Sequence, residues 1–477
     1  MKKIYTLFIL TCLINGGLNA QSAWDGAWHG KIEMANLRLV FNLKTAGNGS
    51  VSATMDSPDQ SAFGLAVESA SVKEDSLYIS DSRFRISFKG KRTNDSTITG
   101  VFTQGMDIPL VLKRNSPETK SPPKAKKQTP VPPFPYKEEE VTIENKKAGI
   151  TMSGTLTIPS ETNGKGYPAI ILISGSGPQD RDETIFGHKP FAVLADHLTR
   201  QGIMVLRYDD RGTGKSTGDF SSSTSRDFAD DAEAVLKYLY SRKDVNKKQI
   251  GLIGHSEGGL IAPLVANENK EVGFIVLLAG PGIPIIDLMT EQNVAIMRSQ
   301  GLAEAAANAY GSLYKDVMLI ARNNDIHEEK KNAIIKVAEG WERSQSAETL
   351  KLLGIEDDWH GKFAEEMVKG TESKWMQYFL NYDPGPELKK LKIKVLALNG
   401  EEDNQVVAKS NLAGIESSLK KSKSPSFKTV SLKGLNHLFQ QCTTCTIEEY
   451  GSLEETFSPT ALSEITSWLA KEGIIKR

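Results

Sequence analysis

The chain has 477 residues, with 58 Lys and Arg against 59 Asp and Glu. This near balance leaves no global basic field, which argues against a nucleic-acid scaffold. A composition that is 39% hydrophobic and 25% charged is ordinary for a globular protein and excludes wholesale disorder. The length predicts two or three domains.

Residues 1–20 have the pattern of a secretory signal peptide. Lys2 and Lys3 precede an apolar run over residues 4–14, and Ala20 offers a small residue at the cleavage site. The run is shorter than the ~20 residues that cross a bilayer, which argues against a membrane anchor. We therefore expect an exported bacterial protein, periplasmic or extracellular, with no integral membrane segment after cleavage.

Residues 21–114 are predicted to form a small all-β accessory domain. Short runs of alternating apolar and polar residues are separated by Gly, Asn and Asp, which indicates about eight antiparallel strands in a barrel or sandwich. The runs cover residues 37–43, 50–55, 77–79, 84–88, 98–102 and 108–112. The opening Trp24-Asp25-Gly26-Ala27-Trp28 resembles the entry of lipocalin-like barrels. A packing module and a ligand-binding barrel both remain open.

Residues 115–136 contain seven prolines and four lysines. This composition predicts an extended, solvated linker.

Residues 137–477 change pattern, because short continuous apolar runs now alternate with amphipathic segments. Such runs suit strands buried on both faces, so we predict a doubly wound, mostly parallel α/β sheet. The predicted strands cover residues 169–173, 203–206, 250–253, 274–278 and 395–398. Residues 287–388 lack a strand signal and predict a helical cap insertion. Its tryptophans either pack its own core or line an apolar pocket above the site: Trp341, Trp359 and Trp375.

The segment Gly254-His255-Ser256-Glu257-Gly258 carries the strongest catalytic signal. It follows a predicted strand and precedes a predicted helix, as in a G-x-S-x-G turn that lifts a nucleophilic serine above a sheet. A serine hydroxyl needs a base, and the base needs an orienting carboxylate. Ser256 is therefore the predicted nucleophile.

His437 is the predicted base, because it is the one histidine between the last predicted strands and the C-terminal helix. Asp403 is the predicted acid, since it follows the strand at 395–398; Glu401 and Glu402 are the alternatives. Two backbone N–H groups must hold the oxyanion. We assign them to Glu257, next to the nucleophile, and to Ser176 in the Gly-rich loop after the first strand, with Gly177 as its alternative.

The region from about residue 140 to the end resembles secreted bacterial carboxylesterases of the α/β-hydrolase superfamily, in the branch near serine-aminopeptidase and monoglyceride-lipase-like enzymes. Four motifs carry the resemblance, beginning at Gly175, Tyr208, Gly254 and Gly434: GSGPQDRD, YDDRGTGKS, GHSEGG and GLNH. The resemblance implies the fold, the triad and hydrolysis of short acyl esters. It gives no natural substrate, and the HGGG-type oxyanion loop of lipases is missing.

Three further features bear on nucleotide, metal and disulfide chemistry. Gly214-Lys215-Ser216 lacks the earlier glycine of a nucleotide-binding P-loop, and we expect Arg211 and Asp210 to brace this loop by ion pairing. No metal motif is present, so we expect neither a metal nor a cofactor. Cys442 and Cys445 follow His437 and are a candidate disulfide in an oxidising compartment.

The sequence thus predicts a serine hydrolase that cleaves small-molecule carboxylic esters. A serine peptidase or aminopeptidase with the same triad is the alternative, and a non-catalytic binding protein is a third. No nucleic-acid partner is expected, and the oligomeric state stays undetermined.

Overall fold

The computed structural model describes residues 23–475 with short gaps. These gaps are residues 33–36, 47–48, 59–61, 82–85, 105, 115–125, 162–163, 165, 324–325 and 356. The predicted signal peptide and the first half of the predicted linker lie outside the described residues. The chain divides into two units near residue 120, an N-terminal β unit and a C-terminal α/β unit.

The N-terminal unit is a nine-stranded antiparallel sheet, in line with the all-β expectation. The strands are β1 (Gly26–Ile32), β2 (Leu37–Thr45), β3 (Val51–Ser57), β4 (Ala62–Ala66), β5 (Ser69–Lys73), β6 (Ser76–Asp81), β7 (Ile86–Asn94), β8 (Thr97–Gln104) and β9 (Met106–Lys113). Their order in the sheet is β4-β3-β2-β1-β9-β8-β7-β6-β5. The sheet approaches a barrel, since β3 also contacts β5.

The concave side of this sheet is filled by large side chains. Trp28 and Phe41 are 0% exposed and Phe88 is 1% exposed. A Cβ atom added to Gly90 would lie 2.5 Å from the Phe88 ring, so even a methyl group has no room there. The described interior is therefore a packed core, as small barrels normally have.

The C-terminal unit contains an eight-stranded sheet. Its strands are β10 (Tyr136–Asn145), β11 (Ile150–Pro159), β12 (Tyr167–Ile173), β13 (Met204–Tyr208), β14 (Val245–His255), β15 (Val272–Leu278), β16 (Lys394–Gly400) and β17 (Phe427–Leu432), in the order β10-β11-β13-β12-β14-β15-β16-β17. Strands β12 to β17 run parallel, whereas β11 is antiparallel to β13 and to β10. The mostly parallel α/β sheet is confirmed, with an antiparallel edge added.

Helices cover both faces of this sheet, which explains why its strands read as continuous apolar runs. In β12, Ile170 and Leu172 face one core and Ile171 and Ile173 face the other. The flanking helices are α1 (Pro190–Arg200), α2 (Ser225–Ser241), α3 (Glu257–Glu268), α11 (Ala408–Leu419) and α12 (Pro459–Lys471). Helices α1 and α12 pack in one layer and α2, α3 and α11 in the other.

The segment between β15 and β16 contains helices and no strand where the structure describes it. Its helices are α4 (Ile285–Ser299), α5 (Glu304–Ala321), α6 (His327–Ser344), α7 (Ala347–Leu352), α8 (Trp359–Thr371), α9 (Lys374–Leu380) and α10 (Pro384–Lys390). It has a core of its own, in which Trp341 and Trp359 pack. No helix among the described residues is both long enough and apolar enough to cross a membrane.

The described end of the predicted linker packs against the α/β unit to which it belongs. Lys126 Nζ donates to Gly451 O at 2.9 Å and to Leu453 O at 2.6 Å. Gln128 Nε2 donates to Phe457 O at 2.9 Å. The chain just before β10 is therefore not fully solvated. Hydrogen bonds anchor it to residues 451–457, which follow His437 in the chain.

Candidate active site

Ser256 occupies a sharp turn between β14 and α3. Its φ of 52° and ψ of −117° are strained for a residue with a side chain. Two glycines make room for the turn, since a Cβ on Gly254 would lie 2.0 Å from Gly258 O and one on Gly258 would lie 2.2 Å from Ile173 O. The turn holds Ser256 at the N-terminus of α3, where the helix dipole favours negative charge.

His437 and Asp403 form a buried pair. Asp403 Oδ2 lies 2.8 Å from His437 Nδ1, and the two side chains are 0% and 5% exposed. Asp403 Oδ1 accepts hydrogen bonds from the N–H groups of Gln405 at 2.8 Å and Val406 at 2.9 Å. A carboxylate fixed in this way orients the ring with its proton on Nδ1, which leaves Nε2 free to act as a base.

The alternative acids lie elsewhere. Glu401 and Glu402 are exposed, whereas Asp403 is buried and contacts the histidine. The structure therefore brings together Ser256, His437 and Asp403 and leaves the two glutamates in solvent.

The loop after β12, which carries Ser176 and Gly177, is held by acidic side chains. Three carboxylates accept hydrogen bonds from its backbone: Glu183 from Gly175 N–H at 2.8 Å, Asp210 from Gln179 N–H at 3.0 Å, and Asp209 from Arg181 N–H at 2.9 Å. Ser176 and Glu257 line the same cavity as Ser256, and Gly177 does not. Both predicted oxyanion donors, Ser176 and Glu257, therefore belong to residues that line the cavity at Ser256.

Arg211 pairs with a different carboxylate from the expected one. Its Nε lies 2.6 Å from Asp231 Oδ2 on α2, so the expected pairing with Asp210 is wrong. Asp210 instead accepts a hydrogen bond from Ser174 Oγ at 2.9 Å, and burial raises its pKa. The prediction failed because it paired neighbours in sequence. Asp231 comes close to Arg211 only when α2 packs against the loop.

A second histidine, His255, links the loop after β12, through Glu183, to the backbone of His437. Its Nδ1 lies 2.9 Å from Glu183 Oε1 and its Nε2 lies 3.0 Å from His437 O. Both partners are acceptors, which favours a doubly protonated ring. Burial lowers the pKa of His255, but the Glu183 carboxylate and the two hydrogen bonds outweigh burial and raise it above the usual value.

A cavity of about 260 Å³ opens at Ser256. His437, Ser176 and Glu257 contribute to its wall. The helical insertion supplies another part of the wall, from α4 and α9: Leu288, Met289, Gln292, Trp375 and Phe379. The insertion is therefore a cap on the site, and one of its three tryptophans reaches the cavity while the others pack its own core.

Cys442 and Cys445 are joined by a disulfide five residues after His437. Together with Glu449 they are the group of potential metal ligands found among the described residues, with ligand atoms within 4.8 Å of one another. Those atoms already have partners, because the sulfurs are bonded and Glu449 accepts a hydrogen bond from Cys445 N–H at 2.8 Å. This arrangement closes a loop and offers no free ligand set.

Sequence reasoning missed Glu183 and the carboxyl of Glu257. Glu183 follows the oxyanion loop in a run of charged residues and has no spacing signal of its own. Glu257 was assigned for its backbone N–H alone, although its side chain is 2% exposed and lines the cavity.

Comparison with known proteins agrees with this topology. Residues 189–336 match the family model described as serine aminopeptidase, S33. The strand order and the helical layers of the α/β unit are those of the α/β-hydrolase fold. Esterase EstD of Thermotoga maritima is 29% identical over 280 residues, which cover 58% of this chain and 55% of EstD. The chain thus spans about half the length of that relative.

Two further likenesses have lower sequence identity. A multifunctional-autoprocessing repeats-in-toxin of Vibrio vulnificus is 22% identical over 250 residues, covering 49% of this chain and 5% of the toxin. Among solved structures, Est1E of Butyrivibrio proteoclasticus with ferulic acid bound is 18% identical, has a TM-score of 0.40, and is matched over 69% of this chain and 98% of its own.

Proposed function

We propose that this α/β-hydrolase is a serine esterase that cleaves short acyl esters through an acyl-enzyme. The observation that carries the proposal is that His437, paired with the buried Asp403, lines the same cavity as Ser256 on its strained turn. The similarity to EstD supports ester hydrolysis as the chemistry.

The proposed mechanism assigns each step to an atom. Ser256 Oγ attacks the ester carbonyl carbon while His437 Nε2 takes the hydroxyl proton. The N–H groups of Ser176 and Glu257 hold the oxyanion, and the N-terminus of α3 adds favourable potential. Collapse breaks the acyl–oxygen bond, and His437 returns its proton to the leaving alcohol. Water, activated by His437, then releases the acid and regenerates Ser256.

An aminopeptidase is the second candidate, because the matching family model carries that description. The two are separated by a panel of p-nitrophenyl acetate and butyrate against aminoacyl p-nitroanilides. We expect turnover of the esters. Ser256→Ala should lower kcat by about 10⁴-fold or more without unfolding the protein, because one hydroxyl is lost. Faster turnover of the anilides, or more than a few per cent residual esterase activity, would refute the proposal.

We further propose that the protein is exported, on the pattern of residues 1–20. Expression of the full chain in a bacterium, followed by mass measurement of the purified protein, tests this. Cleavage near Ala20 is expected, and an intact N-terminus in the cytoplasmic fraction would contradict it.

A further inference from the structure

The carboxyl of Glu257 joins the nucleophile turn to two other segments of the α/β unit. Its Oε1 accepts a hydrogen bond from Ser225 Oγ at 2.5 Å and another from Trp375 Nε1 at 2.8 Å. Ser225 is the first residue of α2, and Trp375 belongs to α9 of the helical insertion. A side-chain hydrogen bond therefore connects the cap to the residue that follows Ser256 in the chain.

The same carboxyl interacts with the loop after β12. Burial raises the pKa of the Glu257 carboxyl, and hydrogen bonding by the Ser176 hydroxyl is among the effects that lower it. Ser176 and Glu257 are the two residues whose backbone N–H groups we assign to the oxyanion. Both proposed donors thus belong to residues that this carboxyl connects, Ser176 through its hydroxyl and Glu257 through its own main chain.

A role within α3 alone does not explain this carboxyl. The helix dipole favours an acidic residue in the first turn of a helix, but that benefit requires neither burial nor fixed partners. The Glu257 side chain is buried, and burying a carboxyl is costly unless hydrogen bonds compensate for it. Both donors to Oε1 are side chains of other helices, so tertiary contacts hold the carboxyl in place.

The position of Glu257 makes this anchoring relevant to the reaction. Holding Oε1 in place restricts the first turn of α3, and with it the direction of the Glu257 N–H. An oxyanion donor must lie about 2.7–3.1 Å from the developing charge, and a misplacement of about 1 Å can cost about 10²-fold in rate. An anchor for this side chain therefore also fixes the geometry of a proposed catalytic donor.

We propose that the Glu257 carboxyl is a positioning group that fixes the oxyanion donors and, through Trp375, makes their geometry depend on the cap. The carboxyl acts through these groups and contacts no substrate. This inference rests on the proposed esterase function. It gives the cap a part in the rate of the chemical step, in addition to its place in the cavity wall.

Two substitutions of Glu257 test the anchor. Glu257→Met has similar length without an oxygen acceptor. It should lower kcat for p-nitrophenyl acetate at least about tenfold and change KM by less than about threefold, because donor geometry matters most in the transition state. Glu257→Gln keeps an acceptor for both donors and should retain at least about fivefold more activity than Glu257→Met. Thermal melting verifies that each variant folds.

A short-chain trifluoromethyl ketone reports on the oxyanion directly. The Ser256 hydroxyl adds to its carbonyl carbon, and the carbonyl oxygen takes the negative charge, as in the tetrahedral intermediate. In Glu257→Met the inhibition constant should rise by about the factor by which kcat/KM falls. A loss of folded protein lowers the apparent kcat without changing an inhibition constant, so this readout separates positioning from stability.

A double-mutant cycle between Trp375→Phe and Glu257→Met tests the link to the cap. Trp375→Phe removes the N–H donor and keeps an aromatic ring in the cavity wall. It should lower kcat about fivefold in the wild-type background and less than about twofold in Glu257→Met, where the acceptor is already lost.

Trp341→Phe is the matched control for Trp375→Phe. The Trp341 indole also donates a hydrogen bond, to Ala309 O at 2.9 Å, but it does so within the core of the insertion. This variant should lower the Tm and leave kcat unchanged. An equal fall in kcat for both tryptophan variants would show that the cap acts through its own stability, and would overturn the inference.

The remaining outcomes separate this inference from the esterase proposal. A kcat of Glu257→Met within about threefold of the wild type overturns the inference, as does an unchanged inhibition constant in a variant whose kcat has fallen. If Glu257→Met does not fold, Trp375→Phe decides, and an unchanged kcat and inhibition constant there overturn the inference. Absence of Ser256-dependent hydrolysis of every ester overturns the esterase proposal and this inference with it.

Discussion

Two histidines share the site, and their hydrogen-bond partners give them different roles. His437 has the Asp403 carboxylate at Nδ1, which orients it as a base. His255 has an acceptor at both nitrogens and sits with its ring centroid 4.8 Å from that of His437. A charged His255 therefore fixes the backbone of His437 to Glu183, and through Glu183 to the loop after β12.

This arrangement predicts a pH-dependent contribution to stability. The folded-state pKa of His255 is raised above its unfolded value of about 6.5. The stabilisation is therefore complete below that value and is lost as the pH rises through the folded pKa. Glu183→Gln removes the carboxylate that raises this pKa, and breaking such a buried pair costs about 3–5 kcal/mol. The loss in unfolding free energy should be larger at pH 6 than at pH 9.

Urea unfolding of both proteins at the two pH values measures this difference. The Asp403 carboxylate also raises the pKa of His255, and it remains in the variant, as does the neighbouring His437 ring. Glu416→Gln, which breaks an exposed pair with Lys420, is the matched control and should cost less than about 0.5 kcal/mol at either pH. A loss that does not vary with pH would contradict a charged His255.

At the scale of elements, the turn between β14 and α3 depends on backbone contacts that leave no room for a Cβ. Gly254→Ala places that atom 2.0 Å from Gly258 O. Because backbone must move to accept it, we expect a loss of about 3 kcal/mol or more, seen as a lower Tm or as insoluble protein. Gly340→Ala on α6 is the control, since nothing lies within 4 Å of its added Cβ. It should stabilise by about 0.5–1 kcal/mol. A Tm of Gly254→Ala equal to that of the wild type would refute the claim that the turn has no room for a Cβ.

Because the cap lines the cavity, we expect substitutions in it to change the preference for acyl chain length without affecting folding. Phe379 lines the cavity, with its ring stacked 4.8 Å from that of Trp375. Phe379→Ala should enlarge the cavity. The kcat/KM for p-nitrophenyl octanoate, divided by that for p-nitrophenyl acetate, should rise by about tenfold. Phe363→Ala removes a ring packed 4.9 Å from Trp359, inside the core of the insertion. It should lower the Tm and leave the ratio unchanged. The same change in ratio for both variants would point to folding rather than size selection.

At the scale of the whole molecule, the features that could be predicted from the sequence are those that depend on a local residue pattern. The parallel strands, the helical insertion and the G-x-S-x-G turn each leave a periodic or spaced signal. Strands β10 and β11 were not named, because β10 includes the charged run Lys137-Glu138-Glu139-Glu140 and reads as polar surface. The Arg211–Asp231 pair and the Glu183–His255 contact arise only from tertiary packing, so no spacing announces them.

The linker is a further case in which tertiary contacts were not predictable from the sequence. Its composition predicts a free spacer, whereas individual side chains anchor its described end. Gln128 Oε1 accepts hydrogen bonds from the N–H groups of Thr456 and Phe457, which are 0% and 2% exposed. Gln128→Ala leaves both donors unpaired, which costs about 1–3 kcal/mol, and should speed their amide exchange by about tenfold or more. Lys127→Ala alters a side chain that is 87% exposed and should change neither Tm nor exchange. Unchanged exchange in Gln128→Ala would contradict the anchoring.

We propose that Ser256 is a nucleophile activated by His437. The most direct measurement is reaction with a fluorophosphonate probe, followed by peptide mass spectrometry. We expect one adduct per chain, on the peptide that contains Ser256, no adduct in Ser256→Ala, and labelling at least about 10³-fold slower in His437→Ala. An adduct on another residue, or labelling that persists after Ser256→Ala, would contradict it.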